Sequence, residues 1–180
     1  EGKAEAPELA ASLGQVLPIA SELGVTFDEV AGATAAMTRT GTDAATASTQ
    51  LRQIMATLLK PTKEAEETLN AMGTSSSDLR RQIKEEGLLS VLQDLRQRTN
   101  EYGEEAMSKV FPNIRALAGV LDLMGENAEE NIKIFESVSQ STGLLEGAFE
   151  TASDTARFKW DQALSQVSAS AITLGEVVST

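Results

Sequence analysis

The chain has 180 residues, 15 Lys+Arg against 27 Asp+Glu, a formal net charge of −12, and neither His nor Cys. These counts remove imidazole bases and ligands, disulfides, thiolate metal sites and thiol nucleophiles. The acidic balance argues against direct nucleic-acid binding, and no run of about 18 apolar residues provides a membrane span.

Residues 1–7 read as a disordered or cut N-terminal segment. Glu1-Gly2-Lys3 has no Met and no signal-peptide pattern, as expected of a piece taken from a longer chain. From there the chain is helices punctuated by glycines. Gly24, Gly41, Gly73, Gly87, Gly103, Gly125 and Gly143 fall where apolar stripes end, the place where Gly supplies a left-handed cap.

Leu9, Leu13, Val16, Leu17 and Ala20 have helical spacing, with Pro18 expected to kink or restart the helix. Thr26-Phe27-Asp28-Glu29 fits a capping box, followed by a face of Phe27, Val30, Thr34 and Met37. Asp43 is placed to cap a helix with the stripe Ala47, Leu51, Ile54, Met55 and Leu58. Lys60-Pro61-Thr62 breaks the chain before a short helix with Ala65, Leu69 and Met72.

A Ser/Thr-rich loop over 73–78 leads to a helix carrying Leu79 and Ile83, and beyond Gly87 come Leu88, Val91, Leu92 and Leu95. Met107, Val110 and Phe111 form a segment stopped by Pro112-Asn113. Ile114, Leu117, Ala118 and Leu121 then mark the next stripe, and Ala128, Ile132, Phe135 and Val138 another. Hairpin dipeptides are missing and β-branched alternation is short throughout, so the fold class is all-α.

The last third differs. Leu145, Phe149, Ala152, Ala156, Trp160, Leu164, Val167, Ala171, Leu174 and Val178 follow each other by three or four residues. This predicts a helix over 144–178, roughly 50 Å long at about 1.5 Å per residue, with a coiled-coil-like seam for a partner helix. Gly143-x-x-x-Gly147 and Ala148, Ala152 and Ala156 favour close helix approach. Residues 126–180 hold 9 acids and 3 bases, a net of −6 that is half the charge of the chain. The expected architecture is a compact multi-helix bundle of short helices over 8–125. A helical extension over 126–180, ending in the long coiled-coil-like helix, follows it.

Chemistry-bearing groups are few. Glu85-Glu86 and Glu104-Glu105 are sequence neighbours, about 100° apart on a helix, so neither pair can flank one glycosidic bond. Ser108-Lys109 lacks an S-x-x-K or G-x-S-x-G context. Asp122, Glu126, Glu129 and Glu130 lack calcium-loop spacing and read as acids beside a helix start. Arg80, Arg81, Lys84, Arg96 and Arg98 are the one basic cluster, interleaved with Glu85, Glu86 and Asp94 as on a solvated face. No catalytic, cofactor or metal residue is assigned. The candidate functional residues are the ten of the seam.

Three stretches together resemble a known family. They are Ser12-Leu13-Gly14 through Leu23-Gly24-Val25-Thr26-Phe27-Asp28-Glu29, then Met37-Thr38-Arg39-Thr40-Gly41 leading to Gln50-Leu51-Arg52-Gln53-Ile54, then Leu58-Leu59-Lys60-Pro61-Thr62-Lys63-Glu64-Ala65. In this order they are similar to the core region of tape measure proteins of long-tailed bacteriophages, the minor-tail family that includes lactococcal-type siphophages. Gly87-Leu88-Leu89 and Lys109-Val110-Phe111-Pro112-Asn113-Ile114 also fit, although members often carry Gly after the Phe. The resemblance covers roughly residues 10–125.

The resemblance implies a non-enzymatic virion protein lying in the tail lumen, made in the host cytoplasm, setting tail length and leaving ahead of the DNA. It implies the tail tube protein, tail assembly chaperones and tail tip proteins as partners. Homo-oligomerisation through the coiled coil is a further expectation. The alternatives are a bacterial helical coiled-coil interaction module and a tail-associated cell-wall hydrolase.

Overall fold

The computed structural model describes residues 12–103 and 105–139, and among them there is helix and no strand. Nine helices lie whole within this range. They are α1 (Leu17–Leu23), α2 (Phe27–Arg39), α3 (Ala44–Leu59), α4 (Lys63–Ala71), α5 (Ser76–Glu86), α6 (Leu88–Tyr102), α7 (Glu105–Val110), α8 (Ile114–Met124) and α9 (Ala128–Ser139). The predicted helix over 144–178 lies outside the described residues.

Side-chain caps set most of the helix starts. Thr26 accepts from the Glu29 N–H while a Glu29 carboxylate oxygen accepts from the Thr26 N–H, the reciprocal capping box. Asp43, Thr62, Ser75 and Asn113 cap α3, α4, α5 and α8 in the same sense. Pro18 sits in the first turn of α1, so it restarts the helix there and sacrifices no hydrogen bond.

The helix ends obey the glycine punctuation. After α1, α2 and α4 the chain closes with a six-to-one bond: Val25 N–H to Ala20 O, Thr42 N–H to Met37 O, and Thr74 N–H to Leu69 O. Each closure places a glycine (Gly24, Gly41 or Gly73) at positive φ, where a side chain would be strained. Gly125 also ends a helix but at φ −79, without the left-handed turn.

The stripes converge on one core. Leu51, Ile54, Met55, Val30, Met37, Leu79, Leu88, Leu92, Leu95 and Phe111 are all inaccessible to solvent, and Phe111 is the largest. α3 lies centrally, against α1, α2, α5 and α8, while α4 packs on α7 and α9 packs on α2 and α8. The core continues past residue 125, because Phe135 of α9 is part of it.

One face departs from its expected position. α8 buries Ala116, Gly119, Val120, Leu123 and Met124, whereas Ile114, Ala118 and Leu121 of the predicted stripe face solvent and Leu117 is half-buried. Arg115 and Asp122 share one side of the helix, opposite Val120 and Met124, so the buried face is the one turned away from these charges and the predicted stripe lies at its edge. Gly119 lies on the buried face. A Cβ there would lie 3.0 Å from both the Gln50 Cβ and the Ile54 Cδ1, so the glycine lets α8 sit close on α3.

Candidate interaction surfaces

All ten seam residues, Leu145 to Val178, lie outside the described residues. The remaining groups singled out in the sequence are described, except Glu104, and most prove to be engaged in holding helices together.

The basic cluster is the clearest case. Arg80 donates to the carbonyl oxygen of Leu59 at 3.1 Å, and Arg98 to that of Met72 at 2.9 Å. Both carbonyls lie at a helix end, where the last turn leaves acceptors without partners. Arg98 also pairs with Asp94 at 2.8 Å, and Arg81 with Asp78 at 2.7 Å. The aliphatic stem of Lys84 lies over Gly24, where a Cβ would come within 2.9 Å of its Cγ. Arg80 therefore joins α5 to the end of α3, and Arg98 joins α6 to the end of α4, while the Arg81 pair lies within α5.

Asp122 and Glu130 are likewise occupied. Asp122 accepts from the Thr40 hydroxyl at 2.6 Å and the Thr42 hydroxyl at 2.9 Å, tying the end of α8 to the α2–α3 turn. Glu130 pairs with Arg39. Buried Asn131 donates to the carbonyls of Asp122 and Leu123, capping α8 from α9. No group of three or more acids able to hold a metal ion is found among the described residues. Ser108 donates to the carbonyl of Glu105, and Lys109 lies 3.6 Å from the Glu105 carboxylate, so the Ser-Lys neighbours form no nucleophile pair.

Glu29 has a role that no local pattern discloses. Its Oε2 completes the capping box, and its Oε1 accepts from the N–H of Leu88 at 2.7 Å, 59 residues away. One carboxylate thus serves the starts of two helices, α2 and α6. Gly87 makes this possible: its φ is +92, and a Cβ there would stand 2.5 Å from Glu29 Oε1.

Three carboxyls are held below their ordinary range, mainly by hydroxyl donors. Thr46 acts on Asp43, Ser75 then Arg81 on Asp78, and Ser90 then Gln82 on Glu86. The first two are helix-start arrangements and the third spans the α5–α6 junction, and each carboxyl stays charged at neutral pH.

One open groove runs between α4 and α7, lined by Glu64, Glu67, Thr68, Ala71, Tyr102, Gly103, Glu105, Ala106 and Lys109. Its rim is acidic, and exposed Tyr102 stands at its edge. It gathers no nucleophile with a base. No helix among the described residues is long and apolar enough to cross a membrane.

Comparison with known proteins gives a consistent picture. Over 170 residues the chain is 26% identical to the tape measure protein of Pneumococcus phage Dp-1. The similarity takes in 88% of this chain but 14% of that protein, so the chain spans about one seventh of its relative. No solved structure matches. Residues 1–115 match the model of the phage-related minor tail proteins, a stretch reaching from the N-terminus to the start of α8. With well over half its length matched, the chain belongs to the phage-related minor tail protein family.

Proposed function

We propose that this chain is part of a phage tail tape measure protein, a structural component of the virion rather than an enzyme. The observation that carries this reading is the family match over residues 1–115, joined to the similarity with a tape measure protein across 88% of the chain. The side-chain chemistry agrees with it. Charged groups with possible reactivity, from Arg80 and Arg98 to Asp122 and Glu29, are engaged with helix ends and loops.

In this role the described bundle is a folded module, and the predicted helix over 144–178 begins the part of the chain whose length translates into distance. A continuous helix rises about 1.5 Å per residue, whereas a bundle folds its residues back on themselves. The tail tube protein, tail tip proteins and assembly chaperones are the proposed partners. The tail lumen is the proposed location, after synthesis in the host cytoplasm. The net charge of −12 suits a protein sharing a channel with passing DNA, since like charge discourages adhesion.

The test is tail length. In-frame deletion of residues 157–178 from the parent gene is expected to shorten tails by roughly 30 Å, at about 1.5 Å per residue, as measured on electron micrographs of purified virions. Tails of unchanged length would overturn the ruler role.

A further inference from the structure

We propose that the exposed face of α8 pairs with the same face of a second copy of this chain, antiparallel about a two-fold axis near Ala118. α8 has two unlike sides. Ala116, Gly119, Val120, Leu123 and Met124 are buried in the bundle. On the outer side Ile114 is 78% exposed and Leu121 55%, with Ala118 exposed and Leu117 half-buried. These four fall at i, i+3, i+4 and i+7, one apolar stripe two turns long. Arg115 and Asp122 are seven residues apart, so they stand about 20° from each other around the helix and flank the stripe along one edge.

The charges name the occupant. Arg115 is exposed and makes no ion pair among the described residues. Asp122 accepts from the Thr40 and Thr42 hydroxyls but meets no cation, and each of its oxygens keeps a lone pair for a further donor. An unpaired cation thus stands at the start of the stripe, and an anion without a cation at its end, both on the same edge. A two-fold axis lying in the plane between two such helices, perpendicular to them, reverses the partner and keeps that edge on the same side. Arg115 of each copy then faces Asp122 of the other, and both ion pairs form at once. A parallel pair sets Arg115 level with Arg115 and places the charged edges on opposite sides.

The apolar stripe obeys the same operation. Ile114 of one copy meets Leu121 of the other, and Leu117 meets Ala118. This register is centred between Leu117 and Ala118, and that of the charges between Ala118 and Gly119. The two differ by one residue, about 1.5 Å, which an arginine side chain spans. The small side chain of Ala118 beside the axis lets the backbones approach closely. Two turns of helix cover less than the roughly 800 Å² per partner of a standard interface, so the pairing belongs to the weak class.

The test uses the whole 180-residue chain. Sedimentation at up to about 1 mM, the range of a weak interface, is expected to show a monomer–dimer equilibrium. Ile114→Lys/Leu121→Lys, at exposed positions, is expected to weaken it about tenfold or more. Arg115→Glu sets like charges opposite each other in both pairs and is expected to weaken it about threefold or more. The chain has no cysteine, so single cysteines report the register. Two copies of position 118 lie side by side, whereas two copies of position 114 stand about 10 Å apart along the helix axis. Oxidation is therefore expected to give at least about tenfold more disulfide dimer from Ala118→Cys than from Ile114→Cys. A strict monomer throughout this range would leave α8 to a different protein and would overturn the proposal. So would a dimer indifferent to the lysines or to Arg115→Glu, which would place self-association on another surface. Ile114→Cys dimers as abundant as those of Ala118→Cys would show parallel or random contact, with the same consequence. Tail length plays no part in these readouts, so this proposal and the ruler role fail separately.

Discussion

Glu29 illustrates how much a single residue can hold in a protein without disulfides. Glu29→Gln keeps the shape but replaces the charged acceptor shared by Thr26 and Leu88. The expected cost is about 1–2 kcal/mol, read as a lower urea midpoint at unchanged slope. Gly87→Ala attacks the same junction from the other side, through positive φ and the close Glu29 oxygen, and is expected to cost about 1–3 kcal/mol. Acid sensitivity also belongs to this scale. Asp43, Asp78 and Glu86 titrate below their ordinary values of 3.8, 3.8 and 4.5 in the folded chain. The folded state therefore binds fewer protons than the unfolded one in this range. The stability these carboxyls contribute is present in full above about pH 5 and is lost as pH falls through the lowered values. Without His, no side chain of ordinary pKa titrates between about pH 5 and 8, so the urea midpoint should be flat there and fall below about pH 4.5.

At the scale of elements, two glycines that end no helix set the packing. Gly32 brings α2 against the α9 backbone, where a Cβ would lie 3.1 Å from the Phe135 carbonyl oxygen, and Gly119 seats α8 on α3. Gly119→Val is expected to destabilise by about 1–3 kcal/mol through overpacking, visible as a lower thermal midpoint. Asn131→Ala removes the donor that covers the carbonyls of Asp122 and Leu123 and should cost about 1–3 kcal/mol, with faster exchange concentrated in α8 and α9. The boundaries of these elements were legible in advance because capping residues and terminal glycines act over three or four positions. Thr26 with Glu29, Asp43, Thr62, Gly24 and Gly73 are all such local signals. The long-range joints were not legible. Arg80 on Leu59 and Asp122 on Thr40 join residues 21 and 82 positions apart, and sequence spacing carries no trace of that.

At the scale of the whole molecule, the family membership points to a structural part of the phage tail. Among the described residues, Asp43 and Glu29 serve as caps, and Arg80 and Arg98 tie helices together. Phe111 is the largest fully buried side chain in an aromatic-poor core, and Phe111→Ala is expected to cost about 3–5 kcal/mol and to lose the cooperative unfolding transition at physiological temperature. If the bundle is only an anchoring module of the tape measure protein, that variant should lower the yield of tails without changing the length of those that form. A change in length would instead place part of the ruler within the bundle.

Sequence by itself determined the all-α class, the helix starts and stops, and most of the buried stripes, because these depend on caps, breakers and a 3.6-residue period. It also determined the family, through an ordered series of such signals along the first two thirds of the chain. Only the tertiary structure decided how closely α8 seats on α3, since the approach of Gly119 to Gln50 and Ile54 joins residues remote in the chain. It likewise made Arg80 and Arg98 of an apparent basic patch into helix-end donors and gave Glu29 its second helix. Those outcomes depend on distance between residues remote in the chain, a quantity that no local pattern contains.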